Sequence, residues 1–296
     1  MFELKGYLQT RRHAVNREIE RFLNTLPYQS RVVEAMRYSV LAGGKRLRPI
    51  LCIAASEAVG DGNATVVSAS CALEFIHTYS LIHDDLPAMD DDQLRRGKPT
   101  CHVKFDESTA ILAGDGLLTL AFEVLADLGL RQSRSDRIWM KVIQILAYRA
   151  GVGGMVEGQM RDIGTQGTPL GLSQLKALHR LKTGALIDAS VATGALLGGA
   201  NAEQEQALRS YAGHMGLAFQ VVDDLLNVKG DTRLTGKAVG SDCAKGKNTF
   251  PALMGTSASE KYVIGLRDQA LQALECFDKK AAPLRAIAHY IIERNR

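Results

Sequence analysis

The stretch Leu73-Glu74-Phe75-Ile76-His77-Thr78-Tyr79-Ser80-Leu81-Ile82-His83-Asp84-Asp85-Leu86-Pro87-Ala88-Met89-Asp90-Asp91-Asp92 changes character at its middle. Before Asp84 it is an almost entirely apolar helical run, and from Asp84 onward it carries five carboxylates in nine residues. Like charges this close repel, and the macrodipole disfavours negative charge at a helix C-terminus, so the arrangement is doubly unfavourable unless a cation offsets it. A bound metal is the simplest remedy; a solvated acidic loop is the bland alternative. A second run of the same form, Phe219-Gln220-Val221-Val222-Asp223-Asp224-Leu225-Leu226-Asn227, again ends an apolar helical segment in paired aspartates. Gln220, Asp223, Asp224 and Asn227 fall at i, i+3, i+4 and i+7, which puts them on one helical face and predicts that all four look into a common cavity. One such helix is merely amphipathic, whereas two ending in Asp-Asp favour a shared site. Ligands that are all oxygen select a hard cation such as Mg²⁺. His83, Cys101 and His102 lie near the first run, but their spacing matches no zinc pattern.

Outward from these runs, apolar residues recur at three- and four-residue spacings and alternating β-branched runs are nearly absent, so the fold class is all-α. The spacing predicts helices over 3–23, 31–42, 47–59, 65–85, 108–128, 135–163, 173–198, 203–228, 259–279 and 283–294. Gly43-Gly44 reads as a helix stop, Ser257-x-x-Glu260 as a capping box, and Asn201 as the residue before a helix start. Two polar segments, 86–107 and 229–251, interrupt the pattern without a linker or an internal repeat. Long helices on both sides of them lead us to expect a single domain over 1–296, a large bundle around a central apolar cavity, with function in the two loops.

Composition narrows the function classes. Apolar residues make up 46% and charged residues 23% of the chain, and the mean hydropathy is near zero, the profile of a globular protein rather than a disordered or membrane one. No run of about eighteen uncharged apolar residues appears, so no membrane span is expected. The start Met1-Phe2-Glu3-Leu4-Lys5 lacks the pattern of an export signal, which leads us to expect a cytoplasmic location. Cys52, Cys71, Cys101, Cys243 and Cys276 are scattered and read as buried or free thiols. A net charge of +4, dispersed along the chain, argues against nucleic acid as a partner.

Local basic clusters are another matter. They are Gly43-Gly44-Lys45-Arg46-Leu47-Arg48-Pro49, Leu94-Arg95-Arg96-Gly97-Lys98, Lys182-Thr183, and Gly236-Lys237 followed by Lys245-Gly246-Lys247. Glycine beside Lys or Arg suits a diphosphate, because backbone N–H groups approach it closely while the cations neutralise its charge. A P-loop is excluded: Gly230 and Gly236-Lys237 are one residue too far apart, and Ala238 stands where a Ser or Thr would hold Mg²⁺. Gly151-x-Gly153-Gly154 lacks the dinucleotide-binding spacing. Two acidic and several cationic clusters at helix ends of an apolar bundle suit a substrate with a diphosphate head and a hydrocarbon tail.

With those motifs in order, the chain resembles the trans-isoprenyl diphosphate synthase family, in particular the short-chain bacterial farnesyl diphosphate synthases, from about residue 30 onward. The resemblance implies a Mg²⁺-dependent transferase that joins isopentenyl diphosphate to an allylic diphosphate, dimethylallyl or geranyl, with farnesyl diphosphate as product and a homodimer as the working form. Residue by residue, it assigns Asp84, Asp90 and Asp223 to Mg²⁺, with Asp85 and Asp224 in support. Arg95, Lys182 and Lys237 would hold the allylic diphosphate. Gly44, Lys45, Arg48, His77 and Arg96 match the isopentenyl diphosphate site, Thr183 and Gln220 line the reacting carbons, and Lys247 closes the 229–251 loop. Asn227 departs from the family, whose second motif usually ends in a third aspartate. A terpene cyclase would need no second diphosphate site, and a non-catalytic partner subunit would not need every cationic motif. Geranylgeranyl diphosphate is the alternative product.

Product length is also readable in the helix ending at Asp84. A chain anchored there must extend back along the helix, and Tyr79 stands five residues earlier, about 7.5 Å deeper at 1.5 Å per residue. Small Ser80 leaves the upper cavity open, and the Tyr79 ring makes a floor. Periodicity alone fits a packed core aromatic equally well.

Overall fold

A computed structural model describes residues 2–60, 62–131, 136–229 and 247–293. Lys237, Gly236, Lys245-Gly246 and Cys243, singled out in the sequence, lie outside those residues. Helices come in the order α1 (Leu4–Asn24), α2 (Arg31–Val40), α3 (Leu47–Val59), α4 (Ala64–Asp84), α5 (Cys101–Lys104), α6 (Glu107–Arg131), α7 (Asp136–Ala150), α8 (Met155–Gly164), α9 (Leu172–His179), α10 (Ala185–Gly198), α11 (Ala202–Lys229), α12 (Phe250–Met254), α13 (Thr256–Ala273) and α14 (Ala282–Glu293). Among the described residues the fold is all-α but for one hairpin, β1 (Leu94–Arg95) with β2 (Lys98–Pro99), paired antiparallel. Arg96 and Gly97 at its turn have φ of 53° and 74°, the two left-handed residues a tight two-residue hairpin requires.

The bundle forms around α4, whose apolar residues are spread around the helix rather than along one stripe, so that most of it is buried. Its Phe75 and Ile76 are fully enclosed with Val15 and Ile19 of α1 and Leu117 of α6. Each such side chain contributes roughly 1.5–3 kcal/mol of burial free energy. A second core joins α3, α10, α11, α13 and α14, where the Tyr211 hydroxyl donates to the Leu284 carbonyl at 2.9 Å. A third packs Leu217, Val221 and Leu225 of α11 against Phe250 and α13. By length and composition α4 and α6 are each apolar enough to cross a membrane, which the strict count of uncharged residues overlooked; α4 is instead a core helix, with 67% of its most apolar window buried.

Several boundaries differ from the expected ones, each for a local reason. The helix expected over 135–163 is two, because residues 151–154 form a turn at the glycines, which are poor helix formers. The helix expected over 173–198 carries a π turn at Arg180–Gly184. The stop read at Gly43-Gly44 comes earlier, with Leu41 capping α2, and the helix expected to reach 279 ends at Ala273. The Ser257 capping box does not form: α13 begins at Thr256 behind Gly255, which places Ser257 inside the helix. Asn201 does cap α11, since Gln204 N donates to its side chain at 2.9 Å and Asn201 N donates to the Gln204 side chain at 3.0 Å. Cys52, Cys71 and Cys101 are buried free thiols, and Cys276 is an exposed one.

Candidate active site

The end of α4, the β1–β2 hairpin, α8, the π turn and α11 enclose a cavity of about 530 Å³. From α4 it takes Tyr79, Ser80, His83 and Asp84, from the hairpin Arg95 and Arg96, from the π turn Lys182 and Thr183, and from α11 Phe219 and Asp223. Arg48 and His77 line the same space. Side chains from both Asp-rich runs and from three of the cationic motifs thus line one cavity.

Consecutive helical residues diverge by about 100°, so the two members of each Asp pair look different ways. Asp84 lines the cavity, whereas Asp85 is buried and accepts from Arg95 Nε at 2.9 and 2.8 Å and from Arg95 Nη2 at 2.5 Å. Burial alone would lower the Arg95 pKa; the hydrogen bonds and charge of Asp85 outweigh it and hold the guanidinium above its ordinary value. On α11, Asp223 lines the cavity while Asp224 is buried. Asp224 accepts from Gln220 Nε2 at 2.8 Å and from the Phe250 backbone N–H at 2.9 Å, and Gln220 Oε1 accepts from Thr183 Oγ1 at 2.9 Å. The four α11 residues therefore do not share one cavity face: Asp223 reaches the wall, and Gln220 and Asp224 tie α11 to the π turn and α12.

Charge in the cavity is arranged so that neither sign is at ease alone. Burial pushes the Asp84 carboxyl up to about 6; Lys182 and Arg95 oppose the shift, and Asp90 and Asp85 add to it. Burial lowers Arg48 to about 10, which leaves it charged at neutral pH, and its Nε has no hydrogen-bond partner among the described residues. Burial, and after it the charges of Arg48, Arg96, Arg95 and Arg46, hold His77 well below its ordinary value, so the imidazole is neutral. A buried donor without an acceptor beside several guanidinium groups is a site for an anion. Among the described residues no three metal-binding side chains are gathered into a cage. Mg²⁺ does not require one, since it is commonly held by one or two carboxylates together with substrate phosphates, and Asp84 and Asp223, which line the same cavity, are of the type that would meet that demand.

Other expected residues sit apart. Lys247 pairs with Asp90 at 3.1 Å, which joins the second polar loop to the first acidic run, and neither lines the cavity. Exposed Lys45 lines a separate cleft between α1 and α14, with its Nζ 6.0 Å from the centre of the Tyr290 ring. Asp162 was missed altogether: it accepts from Lys182 Nζ at 2.5 Å, across 20 residues of chain, a separation that no local periodicity reveals. Lys182 is placed by the π turn, which α8 approaches so closely that a Cβ on Gly158 would lie 2.2 Å from the Lys182 backbone nitrogen. His179, at the foot of that turn, is buried with both ring nitrogens unpartnered among the described residues, and burial lowers it to about 4.

Fold and site together define a helical-bundle transferase that handles diphosphates with hydrocarbon tails. The chain belongs to the Polyprenyl synthetase family, which it matches over residues 29–285, and it is a short-chain prenyl diphosphate synthase. It is 48% identical to the farnesyl diphosphate synthase of Escherichia coli (strain K12) over 286 residues, 95% of each chain. It is 45% identical to geranylgeranyl pyrophosphate synthase 11, chloroplastic, of Arabidopsis thaliana over 300 residues, 99% of this chain and 83% of that protein. Its fold matches the crystal structure of a geranyltransferase from Helicobacter pylori complexed with magnesium and isoprenyl diphosphate, with a TM-score of 0.82, 35% identity and 97% of each chain covered.

Proposed function

We propose that the protein is a farnesyl diphosphate synthase that condenses isopentenyl diphosphate with dimethylallyl and then geranyl diphosphate. The observation that carries this reading is the Tyr79 ring, 7% exposed, in the wall of the same cavity as Asp84 and braced edge-on by His83 at 5.7 Å. Lys182 and Arg95 hold the allylic diphosphate, and Arg48, Arg96 and neutral His77 hold that of isopentenyl diphosphate. Asp84 and Asp223, with Asp90 once it is released from Lys247, would hold Mg²⁺, which would supply charge neutralisation for the departing pyrophosphate. The allylic C–O bond breaks, the isopentenyl alkene attacks the resulting cation, and the proton lost from the adduct leaves with pyrophosphate. Thr183, oriented by Gln220, faces the cation, and the apolar wall around Phe219 and Met155 excludes the water that would quench it.

We further propose a homodimer, on the strength of exposed Ile111 and Leu112 on the outer face of α6 beside a groove shared with α2; light scattering that gives the monomer mass would refute it. Incubation of purified protein with isopentenyl diphosphate, each allylic diphosphate and Mg²⁺ should yield the fifteen-carbon product, and Tyr79→Ala should lengthen it to twenty carbons. A twenty-carbon product from the unaltered protein would make it a geranylgeranyl synthase. Unchanged length in a folded Tyr79→Ala would remove Tyr79 as the floor and move attention to Phe75 and Ile76.

A further inference from the structure

Between α2 and α3 the chain Gly43-Gly44-Lys45-Arg46 contains two substrate-site candidates, Gly44 and Lys45, and a buried arginine that the substrate assignments leave out. Arg46 is the N-cap of α3 and has φ 51° and ψ 36°, a left-handed backbone that residues with a Cβ disfavour. Its side chain, 3% exposed, is fully engaged. Nε donates to Asn16 Oδ1 of α1 at 2.8 Å, Nη2 to the carbonyl of Val40 at the end of α2 at 2.6 Å, and Nη1 to Glu74 Oε1 of α4 at 2.7 Å. Glu74 is itself 2% exposed and lies one turn before His77 on the same face of α4.

Everything this pair grips leads to the anion-binding groups. Arg48, two residues on, lines the cavity. Arg96 donates through Nη1 to the Gly43 carbonyl, and its guanidinium lies so close over Gly44 that a Cβ there would stand 2.6 Å from Nη1. Glu74 carries the opposing charge felt by both Arg48 and Arg96. A loop of glycines bearing cations, left to itself, has many conformations and repels itself.

We propose that Arg46 and Glu74 are the positioning residues of the isopentenyl diphosphate subsite: the buried pair locks the 43–48 loop to α1, α2 and α4 and so sets Arg48, Arg96 and His77 in register for one diphosphate. The proposal rests on the reading that these three groups hold that substrate. Replacing a buried ion pair by apolar residues of similar volume is often neutral for stability, so fold and positioning can be separated.

The experiment measures KM for each substrate and kcat in the wild type, Glu74→Gln, and the double variant Arg46→Met with Glu74→Leu, alongside thermal melts. Expected is a rise of about tenfold to a hundredfold in KM for isopentenyl diphosphate in both variants, with KM for the allylic diphosphate nearly unchanged. Folded variants whose isopentenyl KM is unaltered, a parallel rise in both KM values, or a double variant that does not fold would each reduce the pair to a fold element and overturn the proposal. Failure of the wild type to condense the two substrates would instead overturn the functional reading on which it rests.

Discussion

The ends of α4 and α11 solve one problem in two ways. Each presents an Asp-Asp pair, the first member lining the cavity and the second buried behind it. At α4 the helix stops at the pair, with Asp85 as its C-cap, and the buried carboxylate grips a guanidinium that itself faces the cavity. At α11 the helix runs on to Lys229, and the buried carboxylate accepts, among the described residues, from the Gln220 amide and the Phe250 backbone. The first arrangement couples a cation to the acidic wall; the second couples two helices to each other. A doubled aspartate is thus one candidate ligand and one brace, and the brace differs with what surrounds it.

The largest effect should come from the first members. Asp84→Ala and Asp223→Ala are each expected to lower kcat on the order of 10³-fold, since a metal's stabilisation of developing charge is worth several kcal/mol. Because burial already disfavours the Asp84 carboxylate, the metal-free fold of Asp84→Ala should melt no earlier than the wild type. Near-normal turnover in either variant would end the distinction between ligand and brace.

The braces should separate by kind. Asp85→Asn leaves Arg95 without its bidentate partner, so KM for the allylic diphosphate should rise about tenfold and stability fall by about 2 kcal/mol. Asp224→Asn confronts a buried donor with a donor, so stability should fall by about 1–3 kcal/mol while kcat drops through the Gln220–Thr183 link and the allylic KM holds. Identical kinetic signatures would show that the two ends are equivalent after all. The smallest effect belongs to Asn227→Ala: an amide is a weak partner for a hard cation, and steady-state assays should show turnover within a few-fold of the wild type. A loss as complete as that of Asp223→Ala would make this amide essential.

The fold was legible wherever period and burial agree. The helices expected over 3–23, 47–59 and 65–85 sit within a residue of α1, α3 and α4, because a 3.6-residue apolar repeat has few other solutions. The break at Gly151–Gly154 was not expected, because these glycines, weighed only against the dinucleotide-binding spacing, lie between two segments that each continue a helical pattern. The acidic and basic motifs were legible as chemistry, and the cavity gathers most of them. Their partners were not: the hold of Glu74 on Arg46 spans 28 residues and that of Asp162 on Lys182 spans 20, and both depend on how helices cross. The same crossing decides which of two adjacent aspartates looks inward.

The π turn at Arg180–Gly184 works as a phase shifter in the helical screw. It inserts part of a turn between α9 and α10, so the sequence on one side is read about a residue out of step with that on the other. Winding the same residues as plain α-helix would swing α9, with buried Leu175 and Leu178, by about 100° relative to α10. Length at this point is therefore as much a coded quantity as residue identity: the wider turn takes up one extra residue and leaves α9 and α10 in phase on either side of it.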